Sequence, residues 1–166
     1  MLLEADPRIS LFCERPGFVQ FGEERYLAEF WVRYVDREEL VILSDSIIDA
    51  DAKLTADFAN AELAVRLVQP ADLAASRLWI DNWQRMLPYL VANRGLVSPA
   101  LCRAIERFLR EPQRLLAIER EFSTGDPIVV RAAVFGLLHT GRARARGLKT
   151  DALSLLTEFV ATEVAT

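Results

Sequence analysis

The 166-residue chain has one histidine, His139, and two cysteines, Cys13 and Cys102. Structural zinc needs four nitrogen or sulfur ligands, so that class of site is excluded. The cysteines stand far apart and supply no disulfide framework, which points to a reduced, cytoplasmic setting. The seven glycines are dispersed, and none sets a strand–loop–helix phosphate fingerprint. No apolar run approaches the roughly 20 residues a membrane span requires. The opening MLLEADPRIS carries acids where a secretion signal carries bases, and it lacks the apolar middle of such a signal. Internal repeats and low-complexity tracts are also missing.

Hydrophobic residues make up 52% of the chain and charged residues 27%, a composition that folds around a core without metal or disulfide staples. The net charge of −4 is unevenly spread. Residues 1–98 carry 10 Lys and Arg against 16 Asp and Glu, a net −6. Residues 99–150 carry 10 against 5, a net +5, and the remainder is −3. Such a distribution can direct a polyanion to one part of an acidic molecule. Scattered arginines are otherwise the solvated sides of amphipathic helices.

The first half reads as mixed α/β. RISLFC (8–13) and FVQF (18–21) are short strands, with Pro16-Gly17 as a turn between them. Residues 26–35, YLAEFWVRYV, are aromatic and β-branched and suit a pleated surface. Strand geometry puts Leu27, Glu29, Trp31 and Arg33 on one face, opposite Tyr26, Ala28, Phe30, Val32 and Tyr34. Residues 36–39 make a short polar connection to LVIL (40–43), a strand buried on both faces. Ala50, Leu54 and Phe58 at helical spacing predict a helix over 49–60, and AVRLV (64–68) a further strand. Together these form a strand–helix–strand crossover with parallel strands. A long helix follows from about residue 71, with Pro88 as a kink.

From Gly95 the chain changes character. PALCRAIERFLR predicts an amphipathic helix with Leu101, Ile105, Phe108 and Leu109 inward. A short helix is expected over 112–122. Asp126-Pro127 then caps a third helix, IVVRAAVFGLLHTG, in whose last turn His139 complements the dipole. The extended RARARGLKT and a closing LSLLTEFV complete a winged-helix-like arrangement. Trp79 and Trp83, one turn apart, read as packing residues, as does Trp31. Cys13 and Cys102 read as small buried hydrophobes.

The segments LLEADPRISLFCERPGFVQF (2–21), ERYLAEFWVRYVDREELVILSD (24–45), LAVRLVQPADL (63–73) and DNWQRMLPYL (81–90) follow one another in a familiar order. Over residues 2–92 this order resembles the N-terminal part of the TnsA-like transposon endonuclease family. The resemblance implies a PD-(D/E)XK restriction-endonuclease-like mixed sheet flanked by helices over residues 1–95. A helical, winged-helix-like segment over 96–166 would follow it.

The resemblance also locates the positions at which such nucleases hold Mg²⁺ and orient the attacking water. Glu4 matches a glutamate, and Glu29 stands where the family has aspartate. Ile42 replaces a glutamate or glutamine, and Ser44 replaces the lysine. One ligand and the only cation are thereby lost, and Asp45, one residue further along a strand, points to the opposite face. The expectation is a nuclease-like protein with no intact catalytic set. Glu4 and Glu29 remain as a weak or vestigial metal site, and no cofactor is expected. The enzyme alternative is an active Mg²⁺-dependent endonuclease with a migrated ligand set.

Arg142, Arg144 and Arg146 project from one side of an extended chain, spaced about 6.8 Å apart. With Lys149 they form a comb suited to DNA phosphates. No aromatic platform accompanies them, so duplex backbone contact is preferred over single-strand stacking. The competing reading is a solvated loop after a helix C-terminus. The expected function is that of a DNA-associated accessory protein of a mobile element, docking to double-stranded DNA, to a transposase-type partner, or to both. A third class, a purely protein-interaction or self-assembling subunit, draws on the aromatic content of 26–34.

Overall fold

The computed structural model describes residues 3–21, 24–43, 54–56 and 63–162. The chain forms two compact units: Arg8–Ala75, and Met1–Pro7 together with Ser76–Thr166. The boundary therefore falls between Ala75 and Ser76, whereas the sequence had suggested one near residue 95. The reason lies in the helix after it, whose buried residues Trp83 and Met86 belong to the same core as the C-terminal helices.

The first unit is a mixed α/β arrangement built on a five-stranded sheet. Its strands are β1 (Ile9–Phe21), β2 (Glu24–Tyr34), β3 (Glu38–Leu43), β4 (Leu54–Ala56) and β5 (Ala64–Val68), in the order β4-β1-β2-β3-β5. Helix α1 (Pro70–Ala75) closes the unit. β1, β2 and β3 form an antiparallel meander, and β5 pairs parallel to β3. Leu40, Val41 and Ile42 are all buried, which is why the run shows no polar alternation, whereas Leu43 at its end is exposed rather than buried as expected. On β2 the buried face holds Ala28, Val32 and Tyr34.

Two sequence expectations change here. Pro16-Gly17 is not a turn: β1 runs through it as one strand of 13 residues with a bulge between Glu14 and Gly17. Arg15 (φ 49°) and Gly17 (φ 150°) supply the irregular backbone. The proline is tolerated because β4 pairs with β1 only at Val19, Gln20 and Phe21, so no ladder partner needs its N–H. Leu54 is likewise not helical. Leu54–Ala56 pairs antiparallel to the outer edge of β1, where unpaired backbone groups offset the weak periodicity of three apolar residues. Ala50 and Phe58 of the expected helix lie outside the described residues.

The second unit contains α2 (Arg77–Ala92), α3 (Pro99–Phe108), β6 (Gln113–Arg114), α4 (Leu115–Phe122), α5 (Ile128–His139), β7 (Ala143–Ala145) and β8 (Glu158–Ala161). The helix expected from residue 71 is interrupted at Ser76, and α2 then continues through Pro88. Ser98 starts α3 by accepting a hydrogen bond from the Leu101 N–H at 3.1 Å, with Pro99 at the first helical position. Asp126 Oδ1 accepts from the Ile128 N–H at 3.0 Å and starts α5. Ile105 and Leu109 of the α3 stripe are fully buried, beside Trp83, Met86, Ile118, Phe135, Leu148 and Phe159. The short helix expected over 112–122 divides into β6 and α4, since Gln113 and Arg114 pair with β8. The three strands make a small antiparallel sheet in the order β6-β8-β7. Among the described residues, no helix is long and apolar enough to cross a membrane.

Candidate nucleic-acid interface

The turn that ends α5 sets the basic strand in place. The Gly141 N–H donates to the Leu138 carbonyl at 3.1 Å, and the Arg142 N–H donates to the Leu137 carbonyl at 2.9 Å. This pair of bonds is a Schellman closure, and Gly141 supplies the left-handed residue it needs at φ 72°. The chain enters β7 directly, with Ala143 buried and Ala145 packed against the core. Small residues thus face inward, and Arg142, Arg144 and Arg146 are exposed on the alternate positions.

Strand register extends this surface. Arg144 lies opposite Val160, and Arg114 of β6 lies opposite Glu158, so Arg114 shares the open sheet face with Arg144. The sequence reading missed Arg114 because it was counted inside a helix. Its one signal was a basic residue two positions after Pro112, before the apolar run of α4. The acid on this face, Glu158, stands 4.0 Å from Arg114.

The four sequence-identified cations do not behave alike. Arg142 is held in a two-pronged ion pair by Glu106 of α3, and this hydrogen bonding raises its pKa. Arg144 and Arg146 make no ion pair among the described residues. Lys149 is separate: its ammonium lies 5.9 Å from the centroid of the Trp79 ring on α2. Exposed Arg103, Arg107 and Arg110 follow α3 and its end.

Helix α5 offers nothing comparable. Val130, Ala132, Ala133, Val134, Phe135, Leu137 and Leu138 are buried. Its arginine, Arg131, is bound to Glu119 at 2.5 Å and to the Tyr89 hydroxyl at 3.0 Å, which raises its pKa. His139 is exposed in the last turn of α5, with its ring 5.9 Å from that of Trp83 in an edge contact.

The nuclease-equivalent positions belong to both units. Glu4 is an exposed residue of the segment Met1–Pro7, which belongs with the helices, whereas Glu29 is on β2 of the sheet unit. Glu29 Oε2 accepts the Leu43 N–H at 2.9 Å, capping the end of β3. Ile42 is buried hydrocarbon in the sheet core. Ser44 and Asp45 lie outside the described residues. This donor set does not fit a divalent cation, because one position is apolar and the carboxylate beside it serves a backbone amide. Among the described residues, no three His, Cys, Asp or Glu side chains are grouped to hold a metal ion. Cys13 is exposed and Cys102 partly buried, so the expected burial of Cys13 is corrected.

No protein-family model matches the chain, and no curated protein matches it.

Proposed function

We propose that the protein docks on double-stranded DNA through its phosphate backbone, as a non-cutting accessory of a transposition endonuclease assembly. The observation that carries this reading is the open face of the β6-β8-β7 sheet, where Arg144 and Arg146, with no ion pair among the described residues, stand beside Arg114 and Arg142. Guanidinium groups on alternate strand positions match the repeat of a phosphate chain, and each contact releases condensed counterions.

The order α3-β6-α4-α5-β7-β8 supports a winged-helix reading in which β7 and β8 form the wing. In helix-turn-helix proteins the second helix of the motif reads base edges in the major groove. Here that helix would be α5, in which seven of twelve residues are core and the arginine is held by Glu119 and Tyr89. Docking by phosphates alone follows, and it is tolerant of sequence. The resemblance to TnsA-like endonucleases supplies the mobile-element setting and the transposase-type partner. Burial of Ile42 and the capping role of Glu29 favour a scaffold over an Mg²⁺ endonuclease.

The test is binding of unrelated duplexes across a salt series. The chain should bind them with similar affinity, and Arg142→Ala, Arg144→Ala and Arg146→Ala together should lower the salt slope by about 1.8, one contact each for Arg144 and Arg146, since Glu106 occupies Arg142. No binding at low salt overturns the reading. Nicking of supercoiled plasmid with Mg²⁺ or Mn²⁺, abolished by Glu29→Ala, would replace it with the nuclease.

A second reading, self-association, is favoured by one face of the β1–β2 ribbon. Leu11, Phe18 and Leu27 are 52%, 44% and 36% exposed there. Mass measurement by light scattering, with Phe18→Asp as the control, tests it.

A further inference from the structure

Asn82 is a fully buried amide on α2 that bonds to a loop 66 to 71 residues away. Its Nδ2 donates to the Leu148 and Asp151 carbonyls, each at 2.8 Å, and its Oδ1 accepts the Leu153 N–H at 2.7 Å. Both donors of the amide and one of its acceptor sites are thus committed to backbone groups. The loop is the connection between β7 and β8, residues 146–157, far longer than the usual hairpin loop of about 2–5 residues.

Several anchors act together on this loop. Leu148 inserts its side chain into the helical core. Gly147, at φ 78°, turns the chain so that the Thr150 and Asp151 N–H groups both donate to its carbonyl, at 2.8 and 2.7 Å. Lys149 lies over Trp79, which precedes Asn82 by three residues on α2. The loop begins at Arg146, whose N–H donates to the Glu158 carbonyl at 3.1 Å and closes the end of the β7–β8 ladder.

We propose that Asn82 is a positioning residue for nucleic-acid docking: by tying the 146–157 loop to α2, it keeps the β7–β8 hairpin closed and fixes Arg146 and Lys149 relative to Arg144. The proposal rests on the phosphate-docking reading and adds a part to it. Releasing the loop frays the hairpin at Arg146, and a cation on a frayed end loses its phosphate contact while the arginines nearer α5 keep theirs. A merely structural amide would lower stability and leave the number of phosphate contacts unchanged.

The experiment compares the full chain with Asn82→Asp and, separately, Leu148→Ala. Asn82→Asp preserves size and the acceptor but replaces the doubly donating nitrogen with one oxygen that faces both carbonyls. Leu148→Ala loosens the same loop from its apolar side and keeps the question answerable if the first variant does not fold. Two readouts are taken: amide hydrogen exchange over residues 146–153, and the salt dependence of binding to a duplex of arbitrary sequence. The expected result is at least tenfold faster loop exchange with unchanged protection in α3 and α5. The salt slope should fall by about one to two, the loss of one or two phosphate contacts. Adding Arg146→Ala and Lys149→Ala to Asn82→Asp should lower the slope no further than that pair does alone. Normal binding by the unaltered chain, with the same slope in both variants, overturns the positioning role alone. Unchanged loop exchange overturns it as well. Absence of binding by the unaltered chain overturns the docking reading and the positioning role with it.

Discussion

Glu106 of α3 grips Arg142 with both carboxylate oxygens, Oε1 accepting from Nε at 3.0 Å and Oε2 from Nη2 at 2.5 Å. The pair spans the gap between the helix and the start of β7. It presets the guanidinium for an anion and at the same time occupies it with one.

Glu106→Gln should therefore strengthen duplex binding. Removing the carboxylate leaves Arg142 free for phosphate, so the salt slope should steepen by about 0.9. Both side chains are well solvated, with 46% and 30% exposure, so thermal stability should change by less than about 1 kcal/mol. A salt titration beside a melting curve checks both. Weaker binding would mean that the pair orients Arg142 more than it neutralises it.

Parts of the molecule were legible from residue pattern alone. LVIL declared a strand buried on both faces, and the parallel pairing of β3 with β5 follows from a crossover length too great for a hairpin. The spacing of Arg142, Arg144 and Arg146 between alanines announced an extended strand with cations outward. The rest failed where long-range pairing decided the outcome. Nothing local tells Leu54–Ala56 to join β1, because the open edge it fills was made more than 30 residues earlier. Arg114 belongs to the basic face only because β8 returns beside it, and a two-residue strand leaves no periodicity. The contact of Lys149 with Trp79 was equally illegible, because it depends on the turn at Gly147 and on a helix about 70 residues earlier.

The network of Arg131, Glu119 and Tyr89 joins α5, α4 and α2. Glu119 is 8% exposed, and its two oxygens take the Arg131 Nε and Nη2. Arg131→Met should cost about 3 kcal/mol, because the glutamate would remain buried without its cation. The double variant Arg131→Met, Glu119→Leu should recover much of that loss. The pKa of Arg131 is raised by the Glu119 hydrogen bond, so its contribution is complete below the ordinary arginine range. It disappears only as pH climbs through the higher folded value. Denaturant midpoints between pH 6 and 9 should therefore show the same difference between wild type and Arg131→Met.

Arg15 occupies the left-handed region at φ 49° in the β1 bulge. There the Cβ crowds the following carbonyl oxygen, and asparagine tolerates the conformation better because its short polar side chain can hydrogen-bond locally. Arg15→Asn should stabilise the chain by about 0.5–1 kcal/mol, read as a higher denaturant midpoint with unchanged slope. Gly17→Ala in the same bulge, at φ 150°, should go the other way.

Gly141 links the fold to the basic strand most directly. It holds φ 72° in the closure of α5, and a Cβ there would stand 3.1 Å from the Pro7 Cβ and 3.3 Å from its Cγ. Alanine therefore meets both backbone strain and a rigid ring that yields poorly. Gly141→Ala should cost about 1–3 kcal/mol. The effect should reach binding too, because the residue directs the chain out of α5 and into Arg142. Relief of the clash at Pro7 separates the two causes. In a Pro7→Gly background, which removes both the Cβ and the Cγ, Gly141→Ala should lose the steric part and keep the conformational part. A melting curve gives the first term, and the residual loss of duplex affinity measures how far the arginine strand depends on this turn. If Gly141→Ala lowers stability yet leaves affinity and salt slope intact, the strand is held by β8 alone.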